Sequence, residues 1–148
     1  NPMYAYKIYD RFTIYRPLAD KYTKWRNNLT PYDIQGYEQL PKKGDLLIIT
    51  KSMKDVMCLY EMGYTAISPA SESTFLTSDV IDALKLRFKR ILICFDRDSS
   101  GVKNMRKISL KTGLNGFLVH KKFQSKDISD AIKNNGFEVI KNWLKETL

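Results

Sequence analysis

An α/β fold, with a four-stranded, mainly parallel sheet flanked by helices and a small β-rich N-terminal appendage, is predicted by three observations. From residue 42 onward, short apolar runs alternate with amphipathic segments of helical period. The runs at residues 46–50 and 90–95 lack polar alternation along most of their length, as strands covered on both faces do. The segments between runs are long enough for crossover helices, which implies parallel strands and right-handed connections.

Each element has a local reason. Residues 1–41 are aromatic-rich and irregular and form the expected N-terminal subdomain; residues 42–148 form the expected α/β domain. The β-prone runs 4–9 and 12–16 flank Asp10-Arg11 and predict a hairpin. Asn27-Asn28, Pro31, Gly36 and Pro41 then punctuate turns and one short helix. Residues 42–45 form a turn before the first strand, 46–50. A helix over 52–62 carries Met53, Val56, Met57, Leu59 and Tyr60 at helical spacing, with Gly63 as its C-cap. The second strand, 65–68, is closed by Pro69. A helix over 77–88 places Val80, Ile81, Leu84 and Phe88 on one face. The third strand is 90–95, the third helix 100–112 stopped by Gly113, and the fourth strand 116–120. Short helices over 127–134 and 137–145 end the chain.

A chain of 148 residues, 43% hydrophobic and 28% charged, has the composition of one domain, or one domain with an appendage, and not of a disordered segment. Lys and Arg number 25 against 16 Asp and Glu, a net charge of +9. That surplus favours a polyanionic partner, nucleic acid first and an anionic membrane surface second. No apolar run approaches the roughly 20 residues of a membrane span. No basic segment followed by an apolar one opens the chain, so no signal peptide is expected. Cys58 and Cys94 form no CxxC and suit reduced, buried positions in a cytoplasmic protein. A single histidine, His120, argues against structural zinc. The chain starts at Asn1 rather than Met, as expected of a fragment of something longer.

Ligands of open parallel sheets bind beyond the carboxyl ends of the strands. There the most informative segment is residues 95–101, Phe-Asp-Arg-Asp-Ser-Ser-Gly, with Asp96 and Asp98 two apart and Gly101 opening a helix. Carboxylates so placed suit Mg²⁺ or Mn²⁺, hard cations that take oxygen ligands. Equally, Asp98 or Ser99 caps the helix and Asp96 bonds local backbone. An EF-hand loop is a poor fit, because its twelfth position is Lys107. After the first strand, Ser52-x-x-Asp55 is a capping-box-like start, with a ligand role for Asp55 as the alternative.

A strand, a short acidic motif, a helix, another αβ unit and a strand ending in DxDxxG together resemble the Toprim domain of bacterial-type primases, phage primase–helicases, topoisomerases and related nucleases. The resemblance spans about residues 44–135. It places the family's first-motif Glu on Lys51, its Gly on Ser52 and its Asp on Asp55. The DxD pair falls on Asp96 and Asp98, and Lys126-Asp127-x-x-Asp130 resembles a late Lys-Asp element. It implies Mg²⁺-dependent synthesis of a short RNA primer on single-stranded DNA by a phage or mobile-element replication protein. Nucleotides would be substrates, and a helicase domain a partner. Asp96 and Asp98 would hold metal and Asp55 would support the first motif. Lys51, Arg97, Lys103, Lys126 and Asp127 would contact phosphate or nucleic acid.

Lys51 departs from the family pattern, since an ammonium neither ligates metal nor replaces a carboxylate. It is expected to face Asp96 and Asp98, either occupying one cation's space or gripping a phosphate beside a retained metal. Glu72, just past the second strand, reads first as a plain exposed Glu, with substitution for the missing Glu as the alternative. The alternatives are a nucleic-acid-binding module that has lost metal chemistry and a Toprim-type nuclease. A small-molecule phosphate binder is disfavoured by the lack of a Gly-rich loop after the first strand.

Nine of the 18 aromatic residues fall within residues 1–37, interleaved with Lys and Arg. Most are expected to be the core of the β-rich piece, with a minority free to stack bases. Lys85, Arg87, Lys89 and Arg90 form a second basic cluster. Lys103, Arg106, Lys107 and Lys111 line one face of the third helix.

Overall fold

The computed structural model describes residues 1–71 and 74–148. The strands are β1 (Tyr4–Ile8), β2 (Arg11–Tyr15), β3 (Trp25–Asn27), β4 (Ile34–Gln35), β5 (Gly44–Ile49), β6 (Thr65–Pro69), β7 (Phe88–Ile93) and β8 (Asn115–Gly116). The helices are α1 (Met53–Glu61), α2 (Ser78–Arg87), α3 (Ser99–Thr112), α4 (Ile128–Asn135) and α5 (Phe137–Thr147). The main sheet has five strands in the order β4-β6-β5-β7-β8, and β5, β6, β7 and β8 are parallel. The predicted α/β architecture is present.

Alternation along β5 builds two apolar layers. Ile48 faces a cluster with Val56, Leu59, Val119, Ile128, Ile140 and Leu144, beneath α1, α4 and α5. Leu47 and Ile49 face Ile67, Ile81, Leu84, Ile91 and Ile93, beneath α2. A strand with one residue in each layer by turns must be apolar throughout, which is why residues 46–49 carry no polar position.

Several elements differ from expectation. A fifth strand, β4, pairs antiparallel with β6 through Ile34↔Pro69 and Gln35↔Ser68, although it lies within residues 1–41. Two residues carry no period, so the sequence held no signal for it. Phe88 was expected on the second helix; it is instead the first residue of β7, buried beside Gly44, and α2 passes into β7 without a loop. Met57 is half exposed, off the buried face of α1. The fourth strand shrinks to Asn115–Gly116. Beyond it Phe117 donates one further bond to the Ile93 carbonyl (2.9 Å), and Lys121–Phe123 form a 3-10 turn.

The N-terminal hairpin forms, but its turn is Tyr9-Asp10, with Tyr9 at φ 54°. A third strand, β3, completes an antiparallel sheet β1-β2-β3. Most of the early aromatics are not core. Tyr4, Tyr9, Phe12, Tyr22 and Tyr32 are exposed, and Ile8 fills the buried position instead. Lys85, Arg87, Lys89 and Arg90 are engaged at home. Lys85 donates to the Thr112 carbonyl, Arg87 to Tyr37, Leu40 and Pro41, and Arg90 to the Leu148 carbonyl, while Lys89 pairs with Asp45.

Candidate metal and nucleic-acid site

β5 and β7 are neighbours whose following helices lie on opposite faces of the sheet, so the chain diverges at their carboxyl ends. Such a divergence leaves a crevice there. Lys51 follows β5 and Asp96 follows β7, which brings residues 45 apart in sequence to the same place.

Three carboxylates converge at this point. Asp55, Asp96 and Asp127 each offer an oxygen, and these oxygens lie within 4.8 Å of one another. All three residues are buried, at 3%, 6% and 8% exposure. Asp55 sits in the first turn of α1, whose N-cap Ser52 accepts from its backbone N–H (3.4 Å). Its carboxylate accepts from the Ser129 N–H (2.9 Å) and the Ser52 hydroxyl (3.1 Å). Asp127 is the N-cap of α4 and accepts from the Asp130 N–H (2.7 Å) and the Ser129 hydroxyl (2.9 Å). Asp96 accepts from the Lys51 ammonium at 3.1 Å, and Lys126 stands 3.8 Å away.

Burial, with the Asp127 carboxylate beside it, pushes Asp55 up to about 7. Burial also raises Asp96, while Lys51 pulls the other way. Among the described residues, three buried carboxyls share two ammoniums, Lys51 and Lys126, both of which pair with Asp96. The donor set is all oxygen, as a hard dication prefers. The residues therefore fit one Mg²⁺- or Mn²⁺-like ion, with Lys51 on the Asp96 flank.

Asp98 is placed elsewhere. It is the N-cap of α3, its carboxylate accepts from the Gly101 N–H (2.7 Å), and it is exposed. Arg97 is anchored by its N–H to the Lys126 carbonyl (2.6 Å) and by Nε to the Val119 carbonyl (2.5 Å), tying the Asp96 and Asp127 segments together. Lys103 lies on the outer face of α3, lining a groove separate from the cleft. Glu72 lies outside the described residues. His120 is exposed and its Nδ1 accepts from the Lys122 N–H (3.1 Å).

Gly101 has a steric reason. A Cβ there would stand 2.1 Å from the Asp96 carbonyl oxygen, so α3 can begin against the strand end only with no side chain at 101. Gly101→Ala is expected to destabilise the chain by about 1–3 kcal/mol through overpacking. An unchanged thermal melt would refute that.

The cleft over the carboxylates has a volume of about 770 Å³. One wall is Lys51, Ser52, Asp96, Lys126 and Asp127; the other is Thr13, Tyr15, Lys24 and Trp25 of the N-terminal sheet and its approach. The Tyr15 and Trp25 rings stack with centroids 4.3 Å apart, and Lys54 of α1 lies 5.2 Å from the Tyr15 centroid. An acidic floor with a basic, aromatic rim suits a phosphate-linked chain carrying planar bases. From the sequence Asp127 is expected only as an accessory contact, because a capping Asp gives no sign of what faces it.

No helix among the described residues is long and apolar enough to cross a membrane. A family model described as Toprim-like matches residues 48–132. No curated protein matches the chain. Among solved structures, the chain is similar to a DNA primase domain from Pseudomonas aeruginosa (TM-score 0.69, 17% identity, covering 92% of this chain and 46% of that one). It is similar to the DnaG primase catalytic domain bound to ssDNA (TM-score 0.68, 17% identity, 92% and 47%). It is also similar to the primase fragment of the bacteriophage T7 primase-helicase protein (TM-score 0.61, 16% identity, 93% and 56%). At these identities the likeness is one of fold, and the chain spans about half the length of these structures.

Proposed function

The chain belongs to the Toprim-like family, and from that premise we propose that it is the primase-like domain of a DNA replication protein, making short RNA primers on single-stranded DNA. The observation that carries the reading is the convergence of Asp55, Asp96 and Asp127, of which Asp96 and Asp127 line a cleft with a basic, aromatic rim. Asp55, Asp96 and Asp127 would hold one Mg²⁺ or Mn²⁺, which supplies charge neutralisation for phosphoryl transfer when bound. Lys51 and Lys126 hold the Asp96 carboxylate and face the cleft, where they would neutralise a nucleotide or template phosphate. Tyr15 and Trp25 line the rim of the cleft, where they would contact bases. Asp98 shapes the site by starting α3, and Arg97 positions the Asp96 loop. The likeness to a primase catalytic domain solved with ssDNA and to the primase fragment of a phage primase–helicase supports single-stranded DNA and a helicase domain as partners and a phage or mobile-element source.

The test is Mn²⁺ titration of the chain together with nucleotide incorporation on a single-stranded template. Asp127→Ala is expected to weaken Mn²⁺ by more than the roughly 10–100-fold typical of losing an outer-shell partner. Incorporation should vanish in Asp96→Ala. Full metal affinity in both variants would remove the carboxylate site. Nicking of DNA or RNA with metal and no nucleotides would replace the primase reading by the nuclease one.

One observation favours a second reading. The 3.1 Å Lys51–Asp96 pair gives Asp96 a resident cation, as in a module that binds nucleic acid without metal chemistry. In that case wild type binds no Mn²⁺, and Lys51→Glu creates binding.

A further inference from the structure

The exposed face of α3 is not part of the cleft, yet it is the most uniformly basic surface of the chain's helices. Val102, Lys103, Arg106, Lys107, Leu110 and Lys111 recur in pairs every four residues and line one open groove. Arg97 and Asp98 close its near end. The groove holds about 940 Å³. Residues 99–112 contain no acidic side chain, so the four cations have no carboxylate on their own helix. This contrasts with the basic cluster at residues 85–90, whose cations are spent on internal carbonyls and Asp45.

We propose that the α3 face is a second nucleic-acid contact, a rail for the phosphates of a strand that continues out of the cleft. Two observations select this occupant. The first is charge complementarity: Lys103, Lys107 and Lys111 stand one above another, about 6 Å apart along the axis, close to the step between successive phosphates of an extended strand. The second is continuity. Asp96 lines the cleft and its chain neighbour Arg97 lines the near end of the groove, so the two openings meet at adjacent residues of the turn between β7 and α3. Val102 and Leu110 lie in the row beside the lysines, with Arg106 between them, and offer sugar edges an apolar surface. The rail rests on the nucleic-acid part of the proposed function but not on catalysis.

The test compares wild type with Lys103→Gln/Lys107→Gln/Lys111→Gln, three exposed changes that leave the core untouched. Binding of a fluorescent 6-nucleotide and a 24-nucleotide poly-dT is followed by anisotropy over a salt series. Each lost phosphate contact removes about 0.7 from the log–log salt slope for single strands. The triple variant should lower the slope by about 2 for the long oligonucleotide, weaken it by about tenfold or more, and leave the short one unchanged. Unchanged long-oligonucleotide binding overturns the rail and leaves the groove to an acidic protein segment. Equal losses for both lengths also overturn it, since the lysines would then act on the cleft. If wild type binds neither oligonucleotide, the nucleic-acid reading itself falls. A Leu86→Ser control, an exposed change on α2 outside both cleft and groove, should bind both normally; a loss there equal to the triple variant's refutes a phosphate rail.

Discussion

Lys51→Met is expected to lower the stability of the metal-free chain by about 3 kcal/mol, the usual scale for leaving a buried charge without its partner. Lys51 and Asp96 are 17% and 8% exposed at the side chain and 3.1 Å apart. Lys126 is more than half exposed and 3.8 Å away, so it compensates in part only. For a chain of this size the loss corresponds to roughly 10 °C in melting temperature. Asp96→Asn in the same chain should restore most of it, because the pair would then be removed as a unit. Calorimetry of the single and double variants decides the matter. A Lys51→Met chain as stable as wild type would mean that Lys51 is held for another reason.

The second large effect is a dependence on pH opposite to ordinary acid denaturation. Asp55 is raised from 3.8 to about 7 in the folded chain. Between about pH 4 and 7 the unfolded chain releases a proton that the folded chain retains. The unfolded state therefore binds fewer protons, and stability falls as pH rises across that window. The effect is on the order of 4 kcal/mol, and the raised Asp96 acts in the same direction. Asp20, Asp33 and Asp45 are lowered and act the other way, losing stability as pH falls below about 4. The melting temperature without metal is expected to be higher at pH 5 than at pH 8. Mn²⁺ should reverse that order, since it competes with protons for the same oxygens. Asp55→Asn should flatten the profile; a profile already flat in wild type would contradict the crowding of the three carboxylates.

The parts of the fold visible in the sequence are those with enough residues to repeat. β5, α1, α2, α3 and α5 each carry several apolar positions at one period, and Ser52 and Asp127 sit at the helix starts they signal. β3, β4 and β8 are two or three residues long, and nothing in Ile34-Gln35 marks pairing with Ser68 and Pro69. The site was legible at Asp96, Asp55 and Lys51 because each follows a strand or starts a helix at the sheet's carboxyl edge. Asp98 illustrates the limit. Strand alternation would put Asp96 and Asp98 on one side, but β7 ends at Ile93, so the rule has lapsed before either is reached. One turns inward to Lys51 and the other turns back to cap α3. Asp127's place beside Asp55 depends on α4 packing against α1, a contact between residues 72 apart that no local pattern records.

Gln35 carries a consequence of its own. Its amide nitrogen donates to the Pro69 carbonyl (3.0 Å) and its oxygen accepts from Thr13 (3.4 Å), so one buried side chain spans the two sheets. Thr13 and Gln35 also line the cleft. The gap between the stacked rings and the acidic floor is thus set like the jaws of a caliper, with Gln35 as the screw. A shorter side chain there is expected to leave the carboxylate cluster in place while changing the thickness of what fits between the jaws.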